Sequence, residues 1–252
     1  MGNTPLAMGM PIEGYAAVRS THPLSAAEAN SFLAQARRGS GSRRLIVRGV
    51  DLGTDQVDWS FARRIGTASV IPVDPGSEPG SRYARLARRS LRRAESAGAT
   101  VRASGDGEAF STLYRAASAS WEMRYPEALI IELGQVGVAR FDEVLLGGQM
   151  VAGLMTLKAE DHWMCWLAAQ SGPGREISAS YLAYDRLLTD ARAEVPCVNL
   201  GASAPGTGGG DFKRRLGAHE RPIYEAGYHG LVAKLNDARA SRRSRRRRAS
   251  ST

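Results

Sequence analysis

Cysteine is nearly absent from the 252-residue chain. Only Cys165 and Cys197 occur, both inside runs that read as strands, so a disulfide framework is not supported and both read as buried thiols. No Cys/His pair has zinc spacing, and no metal or tightly bound cofactor is expected. Aromatic residues make up 7% of the chain and look buried rather than interleaved with its arginines, which argues against a base-stacking platform. No run reaches the roughly 18 apolar residues of a membrane span. The start, MGNTPLAMGMPIEGY, has no basic region leading into an apolar one and no Ser or Thr at position six, so neither a secretory signal nor myristoylation is expected. The chain reads as cytoplasmic.

What is abundant is arginine, alanine and glycine. With 43% apolar residues the chain can bury a good core. Its formal charge is +9, and Ser241–Thr252 holds six arginines and no acid. That tail, with Arg242 and Arg245 in it, has no apolar surface to bury and is expected to be disordered. It suits a polyanion such as RNA, or is merely solvated.

A second cationic element lies at Ser81–Gly98. At helical periodicity Tyr83, Leu86, Ala87, Leu91 and Ala94 share one side, within about 140° of arc. Arg82, Arg85, Arg88, Arg89, Arg92 and Arg93 share the other. With only Glu95 to offset them these arginines repel one another, so an anionic partner accounts for them better than a solvated face does.

The remaining elements follow from caps and periodicity. Ser25 and Glu28 form a capping box for a helix ending near Arg38. Strands are expected at Arg44–Val50 and Gly66–Val73, with a short helix at Asp58–Arg64 between them. After the turn-rich Pro72–Pro79 and the arginine helix come a strand at Ala99–Ala103 and helices at Gly105–Ser118 and Glu127–Leu133. Three strands follow, Val136–Leu146, Met150–Lys158 and His162–Ala169, with Gly147-Gly148 as a tight hairpin turn. Asp142, Glu143, Glu160 and Asp161 read as solvated acids at strand ends or turns. A helix at Glu176–Ala193 buries a stripe of Ile177, Tyr181, Tyr184, Leu188 and Ala191. Tyr181 and Tyr184 are candidates for a general acid, and Tyr181 also for an acceptor contact, with core packing as the alternative. A strand at His219–Ala226 and a helix at His229–Ala240 complete the chain.

Two glycine-rich stretches carry the chemistry. Gln170-Ser-Gly172-Pro-Gly174-Arg175 feeds a helix N-terminus, a setting that favours a pyrophosphate. Val198–Gly217 begins as a buried strand. It passes through a turn containing Gly206, Gly208, Gly209 and Gly210 and ends on Phe212-Lys213. A lysine delivered there is placed to meet developing negative charge. The G-x-x-x-x-G-K-[ST] spacing of a P-loop is missing. No nucleophile elbow or Cys/His pair is present, so no covalent intermediate is expected.

The strand end Asn199-Leu-Gly201, the loop and Phe212-Lys213-x-x-x-Gly217-Ala218 resemble the C-terminal signature of the Fem-type branch of the GNAT acyltransferases, over roughly Val73–Tyr228. That resemblance implies an α/β (α+β) fold: a mixed, largely antiparallel sheet with helices on both faces. It implies a truncated N-terminal lobe at 1–72, the acyltransferase domain at 73–240 and the tail at 241–252. It also implies an aminoacyltransferase that takes an amino acid from aminoacyl-tRNA to an amine of a peptide-like small molecule. Lys213 would stabilise the oxyanion, Phe212 would shape the pocket, and Arg124 and Tyr125 would meet the acceptor. Gly172, Gly174, Arg175, Gly208 and Gly209 would line the donor site, and Arg82, Arg85, Arg89, Arg92 and Arg93 would meet tRNA. In CoA-using relatives the place of Gln170–Arg175 holds Q/R-x-x-G-x-G/A. Here the glycines come one residue early and Pro173 removes a donor. Acetyl-CoA-dependent N-acetylation is the alternative, and a non-catalytic RNA-binding protein is a third possibility.

Overall fold

The computed structural model describes residues 25–39, 44–50, 61–121, 124–159, 162–202 and 208–229. Contacts divide the chain into two compact units, Met1–Thr67 with Arg221–Thr252, and Ala68–Glu220.

In the first unit, helix α1 (Ala26–Gly39) starts at the expected capping box. The Ser25 N–H donates to Glu28 Oε2 at 2.8 Å, and the Glu28 N–H donates back to Ser25 Oγ at 3.3 Å. Strand β1 (Arg44–Val50) pairs antiparallel with β8 (His219–His229), from Arg44↔His229 to Val50↔Ile223. Strand β2 (Phe61–Pro72) runs through the boundary between the units. Phe61–Arg64 therefore belong to a strand, not to the expected helix: hydrogen bonding to β8 along a long strand overrode a short helical period. Residues 58–60 lie outside the described residues, as do the expected helix from 230 on and the tail with Arg242 and Arg245. Arg63 donates to the buried Glu225 carboxylate at 2.6 Å.

The second unit opens with a 3-10 turn at Pro79–Arg82 and α2 (Arg85–Ser96). Strand β3 (Thr100–Ser104), α3 (Gly107–Ala117) and α4 (Glu127–Gln135) follow. Then come β4 (Ala139–Leu146), β5 (Gln149–Lys158), β6 (Trp163–Gln170), α5 (Gly172–Ile177), α6 (Ser180–Ala191), β7 (Cys197–Ala202) and α7 (Gly208–Arg215). Its strands run in the order β7-β6-β5-β4-β3, with Ala68–Pro72 of β2 on the far side of β7. Gly147 and Gly148, at φ +58° and +80°, form the β4–β5 turn in the left-handed conformation that two-residue hairpins need. All these pairings are antiparallel except β6–β7. That parallel contact has only two register pairs, Trp163↔Val198 and Met164↔Asn199.

The single helix expected at Glu176–Ala193 is two. Ser178 sits at φ +63°, and the Ala179 N–H reaches back to the Gly174 carbonyl at 2.9 Å, closing α5 before α6 begins. The α6 face built from Tyr181, Leu182, Tyr184, Leu187, Leu188 and Ala191 is buried in the main core with Val144, Leu154 and Trp163.

Tyr83, just before α2, and Ala87 and Ala94 on it are buried as expected, but Leu86 is 46% exposed. Leu86 lies about 100° around α2 from Ala87 and falls at the edge of the stripe that Ala87, Leu91 and Ala94 bury. Asp142 and Glu143 also depart from expectation. They lie in the middle of β4 and are 0% and 1% exposed, Asp142 matched to Arg140 two residues earlier and Glu143 to Arg102 on β3. Glu160 and Asp161 lie outside the described residues.

Candidate active site

Where β6 and β7 cease to pair, a cation is buried. Lys213 on α7 is 8% exposed, and its Nζ donates to the Gly201 and Ala202 carbonyls, both at 2.9 Å. It has no ion pair among the described residues. An ammonium has three donors, so among the described residues two are engaged and one remains. Burial pushes its pKa below the ordinary lysine value.

The glycine turn expected before Lys213 is partly helix. Gly208, Gly209 and Gly210 form the first turn of α7, and residues 203–207 lie outside the described residues. Three glycines oppose a helix by propensity. Anchoring by buried Lys213 and Leu216 and an Asp211–Arg214 ion pair at 2.7 Å offset that cost. Gly208 and Gly209 are exposed. Phe212 is half-buried, its ring 4.7 Å from that of Tyr181 and 5.0 Å from that of Tyr184. Phe212, Lys213 and Tyr181 therefore meet in one neighbourhood. Burial raises the Tyr184 phenol far above its ordinary range, so it stays neutral and is a weak proton donor. The Cys165 thiol is raised by the same cause and stays protonated, which makes it a poor nucleophile.

The turn into α5 is well ordered, but few of its amides are free. The Ser171 hydroxyl donates to the Val151 carbonyl at 3.1 Å and accepts the Gly174 N–H at 3.2 Å. The Arg175 N–H goes to the Ser171 carbonyl, and Pro173 has none. A Cβ on Gly174 would lie 2.1 Å from the Val151 oxygen, so this glycine serves close packing on β5. The Arg175 guanidinium donates to the Gln170 carbonyl at 3.2 Å, and Gly172 is exposed.

Arg124 and Tyr125 lie elsewhere, beside the outer part of β6. The Tyr125 ring meets Trp166 edge-on at 4.6 Å, its N–H donates to the Tyr114 hydroxyl at 3.3 Å, and Arg124 is exposed. The arginines of α2 split into two kinds. Arg82 is tied to the Pro72 carbonyl and Arg88 to the Tyr83 carbonyl. The side chains of Arg85, Arg89, Arg92 and Arg93 are exposed and make no hydrogen bond or ion pair among the described residues.

Two features were missed in the sequence. The first is Asn199, 5% exposed, whose Oδ1 accepts the Gly201 N–H at 2.8 Å. An Asn two residues before a Gly at a strand end is the signal that marks such a turn. The second is the Arg140–Asp142–Asp190 chain behind β4, with contacts of 2.6 and 2.5 Å. Arg140 and Asp142 stand two residues apart on β4, but no local pattern brings Asp190, fifty residues from Arg140, to them.

Comparison with known proteins fits this geometry. Residues 81–214 match a family model described as "Acetyltransferase (GNAT) domain". No curated protein matches the chain by sequence. Among solved structures, FemX shares the fold at TM-score 0.64 and 13% identity, covering 79% of this chain and 76% of its own. The C-terminal domain of an Agrobacterium fabrum protein named as a lysylphosphatidylglycerol synthetase does so at TM-score 0.57 and 14% identity, covering 86% and 77%. At such identities the likeness is one of fold. The family model spans more than half of the chain, with a mixed, mostly antiparallel sheet behind it and a buried lysine where β6 and β7 part: the chain belongs to the GNAT acyltransferase family.

Proposed function

We propose that the protein is an aminoacyltransferase, moving an amino acid from aminoacyl-tRNA to the amine of a peptide-like small molecule. The observation that carries this reading is Lys213, a desolvated ammonium that, among the described residues, is held by two neutral carbonyls and keeps one donor uncommitted. A neutral amine attacks the ester carbonyl, its C–N bond forms, and the carbonyl oxygen becomes an alkoxide. The remaining Lys213 N–H meets that alkoxide. Collapse breaks the ester C–O bond; the amine loses a proton and the ribose oxygen gains one. Preorganised donors of this kind act most strongly where water is excluded.

Three further observations support an RNA-borne donor. Few amides at the α5 turn are free to hold a diphosphate. The fold resembles FemX and a domain of the synthetase named above. Four unpartnered arginines, Arg85, Arg89, Arg92 and Arg93, offer an exposed cationic track on α2, which packs against α5 and α7. In this reading Phe212 and Tyr181 wall the pocket, and Arg124 and Tyr125 receive the acceptor. Residues 1–72 form a shortened first lobe, 73–240 the acyltransferase domain and 241–252 a basic tail. Gly172 at the start of α5 favours a second reading, N-acetylation of a small-molecule amine from acetyl-CoA.

The test offers the full chain labelled aminoacyl-tRNA or acetyl-CoA with a panel of amines, with and without RNase. RNase-sensitive aminoacyl transfer is the expected result. RNase-resistant acetyl transfer would replace this reading with the second.

A further inference from the structure

In an extended strand the carbonyls of consecutive residues point to opposite edges. Gly201 and Ala202 break that rule, because both carbonyls reach one Lys213 Nζ at 2.9 Å. The chain must turn between them, and Gly201 supplies the turn at φ +76°. The ladder records the same event. Ala202 pairs with Ala68 but Asn199 with Val70, so β7 carries one residue more than β2 across this interval. That is a β-bulge with a left-handed glycine in it. A side chain at 201 would be strained by φ and would lie 3.3 Å from the Cys165 carbonyl.

The bulge has a dedicated holder. Asn199 is the last β7 residue paired with β6, through Met164, and its buried side chain accepts the Gly201 N–H at 2.8 Å. The donor is a backbone amide, so the side-chain oxygen must face it. We propose that Asn199 is a positioning residue for Lys213: by holding the Gly201 N–H it keeps the bulge that aims two carbonyls at the ammonium. Its catalytic consequence rests on Lys213 acting at the reacting carbonyl, but the positioning can be measured without any turnover.

The chain has three lysines, Lys158, Lys213 and Lys234, so selective 15N-lysine labelling yields three side-chain signals, and Lys213→Met identifies the one that matters. A buried, hydrogen-bonded ammonium keeps its protons long enough to be seen. In Asn199→Leu the Lys213 ammonium signal is expected to vanish and the Gly201 amide to exchange faster, with the rest of the amide spectrum unchanged. Asn199→Asp retains an acceptor oxygen and is expected to keep both. If Asn199→Leu does not fold, Asn199→Ser removes the reach at lower volume cost and is expected to behave like it. With the donor identified above, Asn199→Leu should lower kcat about tenfold while leaving donor KM unchanged, the size of one lost hydrogen bond. An unchanged ammonium signal in Asn199→Leu, or its loss in Asn199→Asp as well, overturns the proposal. Failure of the functional reading looks different: no donor is turned over by wild-type protein, while the ammonium result stands.

Discussion

Two buried charges in the second unit are handled in opposite ways. Asp142 on β4 is fully buried and faces the Arg140 guanidinium at 2.6 Å; Arg140 in turn meets Asp190 at 2.5 Å and lies over the Trp163 ring, 5.3 Å from its centroid. Burial still pushes the Asp142 carboxyl above its ordinary range, with Arg140 opposing it. Lys213, by contrast, is desolvated and receives only carbonyl dipoles among the described residues. A charge matched by a counter-charge is complete and has nothing left for a ligand. A charge held only by dipoles keeps an unmet demand for negative charge. The difference separates a structural ion pair from a group that can stabilise an alkoxide.

The largest effect comes from breaking the matched pair. Arg140→Leu leaves Asp142 buried and alone, and is expected to cost about 3–5 kcal/mol in urea unfolding. The double variant with Asp142→Leu should recover most of that loss. A double variant as unstable as the single one would show that the pair does more than neutralise itself.

The same removal at the unmatched charge should act on rate rather than on folding. Lys213→Met is expected to lower turnover by about 10²–10³, the size of one lost oxyanion donor, with no loss of unfolding free energy at neutral pH. Unaltered turnover would remove Lys213 from the chemistry. In wild-type protein, turnover should fall on the alkaline side at a pH below the 10.5 of an ordinary lysine, because burial has lowered the Lys213 pKa.

Exposed cations give a smaller, salt-dependent effect. Replacing Arg89 and Arg92 by alanine should reduce the slope of log affinity for tRNA against log salt by nearly two. Replacing Arg82 or Arg88, which hold backbone carbonyls, should change stability and leave that slope nearly unaltered. Equal slopes for both kinds would erase the distinction between them.

The smallest effect is a drift in stability with pH. A lowered folded-state pKa means that charging Lys213 costs the folded state. That cost is full below the folded pKa and fades as pH rises towards 10.5. Lys213→Met removes the cost, so its stability advantage over wild type should narrow across that alkaline window. A constant gap in pH-dependent unfolding would contradict the desolvation of Lys213.

Much of the fold was open to reading from local pattern, and it is instructive which parts were not. The capping box at Ser25 and Glu28, the Gly147-Gly148 hairpin and the arginine side of α2 all depend on residues a few positions apart, within reach of backbone stereochemistry and helical periodicity. The burial of Asp142 was hidden: Arg140 stands only two residues away on β4, but the pair looks solvated until α6 brings Asp190 to it from fifty residues on. Gly208–Gly210 read as a turn, because three glycines disfavour a helix until buried neighbours hold them in one.

The candidate site divides in the same way. The amino-acid sequence by itself determined that a lysine follows a glycine-rich stretch after a buried strand, and that cations crowd one side of a helix, since these are facts of order and period. Only the tertiary structure decided that Lys213 points inward, that its partners are the Gly201 and Ala202 carbonyls, and that Asn199 holds the bulge between them. Desolvation and carbonyl direction are properties of packing between β6, β7 and α7, segments up to fifty residues apart in the chain, and no local pattern carries them.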